Sequence, residues 1–158
     1  MPDLSDQGFL DLGDQRLEYR MAGPRPNEAP TLILLHEGLG SAGMWGDFPE
    51  KLSAATGCGV FVYSRQGYGW SSAAKLPRTL DFMHVEARET LPRLLDAIGL
   101  RQGLLVGLRH GASPVATWLR PAALARYNAR SAATSTSSSF LSVRYSATPM
   151  LAVTSPAR

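Results

Sequence analysis

"TLILLHEGLGSAGMWGDFPEKLSAATGCGVFVYSRQGYGWSS", Thr31 to Ser72, decides how this chain folds. It opens on "TLILLH", a continuous apolar run of strand length without polar alternation, the pattern of a strand covered on both faces in a parallel sheet. "MWGDFPEKLSAATG" then predicts a short helix, with Trp45, Phe48 and Leu52 on one side, Pro49 near its start and Gly57 as its stop. "GVFVYS" is a second buried strand. Two such strands joined by a helix call for a right-handed crossover and a parallel pair.

Working outward, "GFLDLG" and "RLEYRMAG" flank the turn Gly13-Asp14-Gln15, with Leu10 and Leu12, then Leu17, Tyr19 and Met21, spaced by two, which predicts an antiparallel hairpin. "GPRPNEAP" is a loop by its prolines. Beyond Ser72, Leu80, Met83, Leu91, Leu94, Leu95 and Ile98 recur at helical spacing from Thr79 to Ile98, with Pro92 expected to kink or divide the helix and Gly99 to end it. "GLLVG" is a third buried strand. The fold class expected is α/β: an N-terminal hairpin followed by a mostly parallel sheet flanked by helices on both faces.

Past Trp118 the periodicity fades. The expected division is therefore a domain portion over 1–118 and a poorly ordered tail rich in Ala, Ser and Arg over 119–158, with too little apolar surface to offset its ordering entropy. Charge divides the chain at nearly the same place. Residues 1–108 carry ten basic and thirteen acidic residues, whereas 109–158 carry six Arg and no acid at all. Six arginines over fifty residues, with few aromatics among them, are too dilute for a nucleic-acid arm, so no nucleic-acid partner is expected. No apolar run approaches a membrane span and the first residues are not those of a secretory signal, so a cytoplasmic protein without a membrane partner is expected. The single Cys58 forms no internal disulfide, lacks the companions of a metal site and reads as a small core residue. No cofactor and no metal are expected.

In an open α/β sheet, ligands bind beyond the carboxyl ends of the strands, where "HEGLGSAGMW", "RQGYGWSS" and "GLRHGA" should share one edge. The glycines of the first loop admit two readings: backbone N–H groups approaching a substrate oxygen that gains negative charge, or simply a tight strand-to-helix turn. His36 reads as a residue that fixes the loop rather than a proton shuttle. Arg65 reads as a turn residue bonded to neighbouring carbonyls rather than to substrate. Gly67-Tyr68-Gly69 lacks the spacing and following helix of a dinucleotide fingerprint.

Residues 8–107 resemble the N-terminal half of an α/β-hydrolase-fold protein of the serine hydrolase or esterase type. His36 to Gly40 stands in place of that family's His-Gly oxyanion loop, and "YSRQGYGWS" in place of its Asp-x-Arg-Gly-x-Gly-x-Ser stretch. Glu37 replaces the usual first glycine, Ser64 the usual Asp, and Gln66 intervenes before Gly67. The resemblance implies an oxyanion hole from the N–H groups of Gly38, Leu39 and His110. It gives His36, Gly40, Arg65, Gly67, Gly107 and Gly111 a loop-supporting role, and it implies a small-molecule acyl substrate.

The family's third strand ends in Gly-x-Ser-x-Gly, an elbow that presents the nucleophile. Here those five residues are Gly107-Leu108-Arg109-His110-Gly111. Arg109 is permanently protonated and has no nucleophilic oxygen. Ser113, two residues past the elbow, would point away from the strand edge. His84 and His110 do not stand where the family carries its histidine, and no Asp or Glu follows Asp96. No intact catalytic residue set is therefore expected; the chain reads as truncated before the catalytic acid and histidine. A shift of reading frame accounts for both the lost serine and the changed composition: with codons of our choosing, restoring two bases turns Gly-Leu-Arg-His-Gly into Gly-His-Ser-Asp-Thr. Two functions stay open, a hydrolase by lineage that is inactive as this chain, and a non-catalytic remnant or binding module with a basic tail.

Overall fold

A computed structural model describes residues 5–107. Five strands form one sheet: β1 (Gln7–Asp11), β2 (Arg16–Ala22), β3 (Thr31–Leu35), β4 (Gly59–Tyr63) and β5 (Gly103–Gly107), in the order β1-β2-β4-β3-β5. The hairpin β1–β2 is antiparallel, β2 joins β4 antiparallel, and β3 lies parallel to both β4 and β5. The hairpin turns at Gly13, whose φ of 88° is open to glycine, while its N–H donates to Asp11 Oδ1 at 2.7 Å.

Strand composition follows from the two-faced burial. Ile33, Leu35, Phe61, Tyr63 and Leu105 point to one face, and Leu34, Val60, Val62 and Val106 to the other. Successive residues of a strand alternate between faces, so each of these runs must be apolar throughout. The crossovers explain why helices cover both faces. From β3 the chain moves to one side to reach β4, then passes back over β3 to reach β5 on the other side. Right-handed connections in opposite directions put their helices on opposite faces.

The first connection holds a short 3-10 turn (Ala42–Trp45) and α1 (Phe48–Thr56). The expected single helix from Met44 is thus broken at Gly46-Asp47, and Pro49 sits in the first turn of α1, where its missing N–H costs nothing. Trp45 and Leu52 pack against the Val60–Val62 face, but Phe48 is only stacked on Trp45 with ring centroids 5.7 Å apart. Gly57 ends α1 in the left-handed region, φ 70°, donating its N–H to Ser53 O.

The second connection runs through α2 (Phe82–Val85), a π-helical turn (Glu86–Thr90) and α3 (Leu91–Ala97). Backbone angles stay right-handed helical at both joints, so this is one rod with a wide turn in it. Pro92 cannot donate to the turn before it, and the wider turn just upstream makes room for its ring. Two expectations are corrected. Leu80 lies in the turn before the rod and is fully exposed, and Met83 is only half-buried, so the packed stripe is Ala87, Leu91, Leu94, Leu95 and Ile98. Cys58 is half-buried in the bend before β4, not in the core, with Sγ near Thr56 O.

Among the described residues no helix is long and apolar enough to cross a membrane. The expected boundary at 118 and the tail over 119–158 lie outside the described residues, as do Leu108, Arg109, His110, Gly111 and Ser113.

Candidate functional site

The chain leaves β3 to one side for β4 and returns across it to β5, and this switch in winding direction makes the carboxyl end of β3 the position where ligands bind in open α/β sheets. Leu35, the last residue of β3, is in register with Tyr63 of β4 on one side and Gly107 of β5 on the other. The residues that follow β3 and β4 therefore emerge side by side, His36 to Gly40 and Ser64 to Ser71, next to Gly107 at the end of β5.

Arg65 ties the first two loops together. Its two terminal guanidinium nitrogens donate to His36 O at 2.8 Å and Glu37 O at 2.7 Å. The Arg65 backbone N–H donates in turn to His36 Nε2 at 3.1 Å, which leaves the ring proton on Nδ1, donating to Glu37 O at 2.7 Å. Both residues are buried, and Tyr68 covers them: its ring centroid lies 5.2 Å from that of His36, and the Arg65 guanidinium sits 5.3 Å above it. Burial, with the Arg65 charge beside it, depresses the His36 pKa to about 4. His36 is thus a neutral imidazole with both ring nitrogens engaged, and it has no free nitrogen with which to accept a substrate proton.

The glycines of the first loop differ in what they do. A side chain at Gly40 would meet His36 Cβ at 3.1 Å and Glu37 Oε1 at 3.2 Å, so the loop closes tightly only with glycine there. Gly38 faces open space, and its N–H makes no hydrogen bond among the described residues. The Leu39 N–H donates instead to Glu37 Oε2 at 2.8 Å. Of the two backbone donors expected in this loop, one is open and one is held by a carboxylate.

A second anchor was not expected from sequence. Glu18, on β2, accepts from Ser64 Oγ at 2.7 Å and from the Trp70 N–H at 3.0 Å. Ser64 Oγ also accepts the Ala42 N–H at 2.8 Å, so one hydroxyl joins the hairpin, the loop after β4 and the turn after the first loop. Ser71 Oγ closes the ring by donating to Ser64 O at 2.7 Å and accepting from the Glu18 N–H at 2.9 Å. Gly69, at φ 51°, passes so close that an added Cβ would stand 2.2 Å from Glu18 Oε2. Gly67, at φ 84°, likewise packs on Ala74 and Arg78. Arg78 donates to Tyr68 Oη at 3.0 Å and Gln66 O at 2.6 Å, fixing the far side of this loop.

Large apolar side chains stand exposed around these loops: Leu39, Met44 and Trp70 are 88%, 67% and 78% exposed. Among the described residues no group of His, Cys, Asp and Glu is placed to hold a metal ion.

A switched parallel sheet with an antiparallel hairpin on its edge, a His-led glycine loop after β3 and an Arg-anchored glycine loop after β4 define the class: this is an α/β-hydrolase-fold protein, represented by the N-terminal part of that fold. Solved structures bear the same fold. A hydrolase from Pseudomonas aeruginosa PA01 matches with 29% identity and a TM-score of 0.57, over 74% of this chain and 41% of that one. The enol-lactonase from Burkholderia xenovorans LB400 matches with 23% identity and a TM-score of 0.58, over 70% of this chain and 40% of the lactonase. Among curated proteins, the chain is 31% identical over 119 residues to the "Probable transporter efuK" of Hormonema carpetanum, covering 73% of this chain and 16% of that protein. No protein-family model matches the chain. The chain spans less than half the length of each of these three proteins.

Proposed function

We propose that this chain carries the oxyanion-side loops of an acyl hydrolase, built for ester or related acyl substrates, and that it is catalytically silent as it stands. The observation that carries the reading is the Arg65–His36 clasp, which holds the first loop rigid at the carboxyl end of β3 with the Gly38 N–H free. A preorganised backbone donor in that place is worth about 3 kcal/mol to a transition state in which a carbonyl oxygen gains charge. The hydrolase and lactonase structures that share the fold support the same chemistry. Silence rests on Arg109. It stands at the centre of the Gly107–Gly111 elbow sequence, where acyl transfer requires a side-chain oxygen that attacks the carbonyl and passes its proton to a base.

A fluorophosphonate probe tests this directly, since it phosphonylates activated serines. The 158-residue chain should remain unlabelled under conditions that label a serine esterase to one equivalent. Stoichiometric labelling, mapped to any serine, would overturn the reading.

The second reading, a binding module without catalysis, is favoured by the exposure of Leu39, Met44 and Trp70, large apolar side chains on the loops that follow β3 and β4 and available to an apolar ligand or partner. An acyl chain or partner bound there would protect Trp70 from acrylamide quenching of its fluorescence.

A further inference from the structure

A cavity of about 270 Å³ lies between the loop after β4 and the α2–α3 rod, with Arg65, Tyr68, Lys75, Arg78, Phe82 and Glu86 in its wall. Three of these side chains are cations and one is an acid. None of the three cations makes a salt bridge among the described residues, unlike Arg20, Arg25, Lys51 and Arg93. Arg65 is 4% exposed, and although its two terminal nitrogens are engaged, its Nε is buried without a hydrogen-bond partner. A buried donor in that condition is rare in folded proteins and points to a missing acceptor.

Arg78 is prepared in a comparable way. Its guanidinium lies 4.9 Å from the Tyr68 ring centroid and 5.1 Å from that of Phe82, so it is oriented before any ligand arrives. Glu86 is the acid of this wall. Its carboxyl accepts from Tyr63 Oη at 3.0 Å, and burial pushes its pKa upward, against the opposing pull of Arg65 and Arg78. Ala74, Pro77 and Val85 complete the wall with apolar surface.

We propose that this cavity binds a small organic carboxylate, its charged end between Arg65 and Arg78 and its apolar body against Ala74, Pro77 and Phe82. The chemistry selects the class. Guanidinium N–H groups match the planar, singly charged carboxylate, and the apolar wall gives a hydrocarbon body an advantage over a bare inorganic ion. The anchor is already rigid, because Arg65 is pinned by the carbonyls of His36 and Glu37. The site shares Arg65 with the clasp on His36 but uses neither Gly38 nor the elbow, so it stands without the hydrolytic reading.

Benzoate, benzamide and phenyl phosphate, titrated into the full-length chain by calorimetry and amide NMR, test the proposal. Benzoate should bind saturably and shift the amides of Arg78 and Phe82, and the isosteric neutral benzamide should bind at least about tenfold more weakly. Arg78→Gln should weaken benzoate by about tenfold. If Arg78→Gln fails to fold, Lys75→Glu serves, since Lys75 is exposed and its reversal puts a negative charge at the rim; benzoate should then weaken by about fivefold. Equal affinity for benzamide, no saturable binding of benzoate, or unchanged benzoate affinity in the folded variant would each overturn the proposal. Tighter binding of phenyl phosphate than benzoate would also overturn it, assigning the cavity to phosphate esters.

Discussion

Lowering the pH should break the Arg65–His36 clasp, and the size of the effect follows from the state of the imidazole. His36 has a folded pKa of about 4 against 6.5 for an ordinary histidine, because burial and the Arg65 charge both disfavour its cation. The unfolded chain therefore binds a proton at this site more readily than the folded one. The stability His36 contributes is complete above pH 6.5 and is lost as the pH falls towards 4. A difference of two and a half pKa units corresponds to about 3 kcal/mol in all, of which about 2 kcal/mol is lost by pH 5. Against a domain stability of roughly 5–15 kcal/mol that is a large fraction. Urea unfolding of the wild type and of His36→Asn, which cannot titrate, isolates the contribution. Asn lowers stability by an offset, but the difference between the two proteins should shrink by about 2 kcal/mol between pH 7 and pH 5. Subtracting the two proteins removes the opposite trend from Glu86. A difference that stays constant with pH, or an NMR titration placing the His36 ring at or above 6.5, would refute the reasoning.

Two further outcomes follow from the loops. Gly69→Ala should destabilise the chain by at least about 3 kcal/mol in urea melts, combining left-handed strain with the displacement of Glu18, whereas Gly57→Ala, at a similar positive φ but facing open space, should cost only about 1 kcal/mol. Glu86→Gln keeps an acceptor for Tyr63 Oη and removes the ionisation; the wild type, whose buried carboxyl has a raised pKa, should gain stability relative to this variant as the pH is lowered towards 4.5 and lose it as the pH rises, read from paired urea melts.

The strands were legible because β3, β4 and β5 are covered on both faces, which leaves no freedom for a polar residue within "LILL", "VFV" or "LLV". The helices were legible in outline only. Leu80 fits the helical period, yet Thr79 to Asp81 is a turn closed by Phe82 N–H to Thr79 O, and a local hydrogen bond of that kind overrides an apolar period one residue long. Cys58 reads as core by residue type, but it falls in the bend between the left-handed Gly57 and β4, where the chain is still at the surface. The glycine loops announced themselves by composition. Their anchors did not. Glu18 sits between Leu17 and Tyr19 as any solvent-facing strand residue would, and its partner Ser64 is 46 positions away, so nothing local to either residue links them. Arg78 and Glu86 are similarly plain in sequence; what makes a cavity of them is the fold of a connection whose path the sequence leaves open.

Glu37 decides how far the first loop can serve acyl chemistry even apart from Arg109. Its Oε2 lies 2.8 Å from the Leu39 nitrogen, which is the position a substrate oxyanion would take at that donor. A carboxylate there removes one donor by occupying it and opposes the developing charge by repulsion. Two negative charges about 4 Å apart repel by about 4 kcal/mol at the effective dielectric of a protein surface. The remaining donor at Gly38 supplies about 3 kcal/mol in the favourable sense. Repulsion is thus at least as large as the help, so the loop in this conformation holds a neutral carbonyl better than the intermediate that hydrolysis must form. The Arg65–His36 clasp makes no hydrogen bond to the Glu37 carboxylate among the described residues, because the terminal nitrogens of Arg65 are spent on the His36 and Glu37 carbonyls. In the proposed reading Glu37 therefore acts in the same direction as Arg109, since a rigid loop without net stabilisation of negative charge suits binding better than hydrolysis.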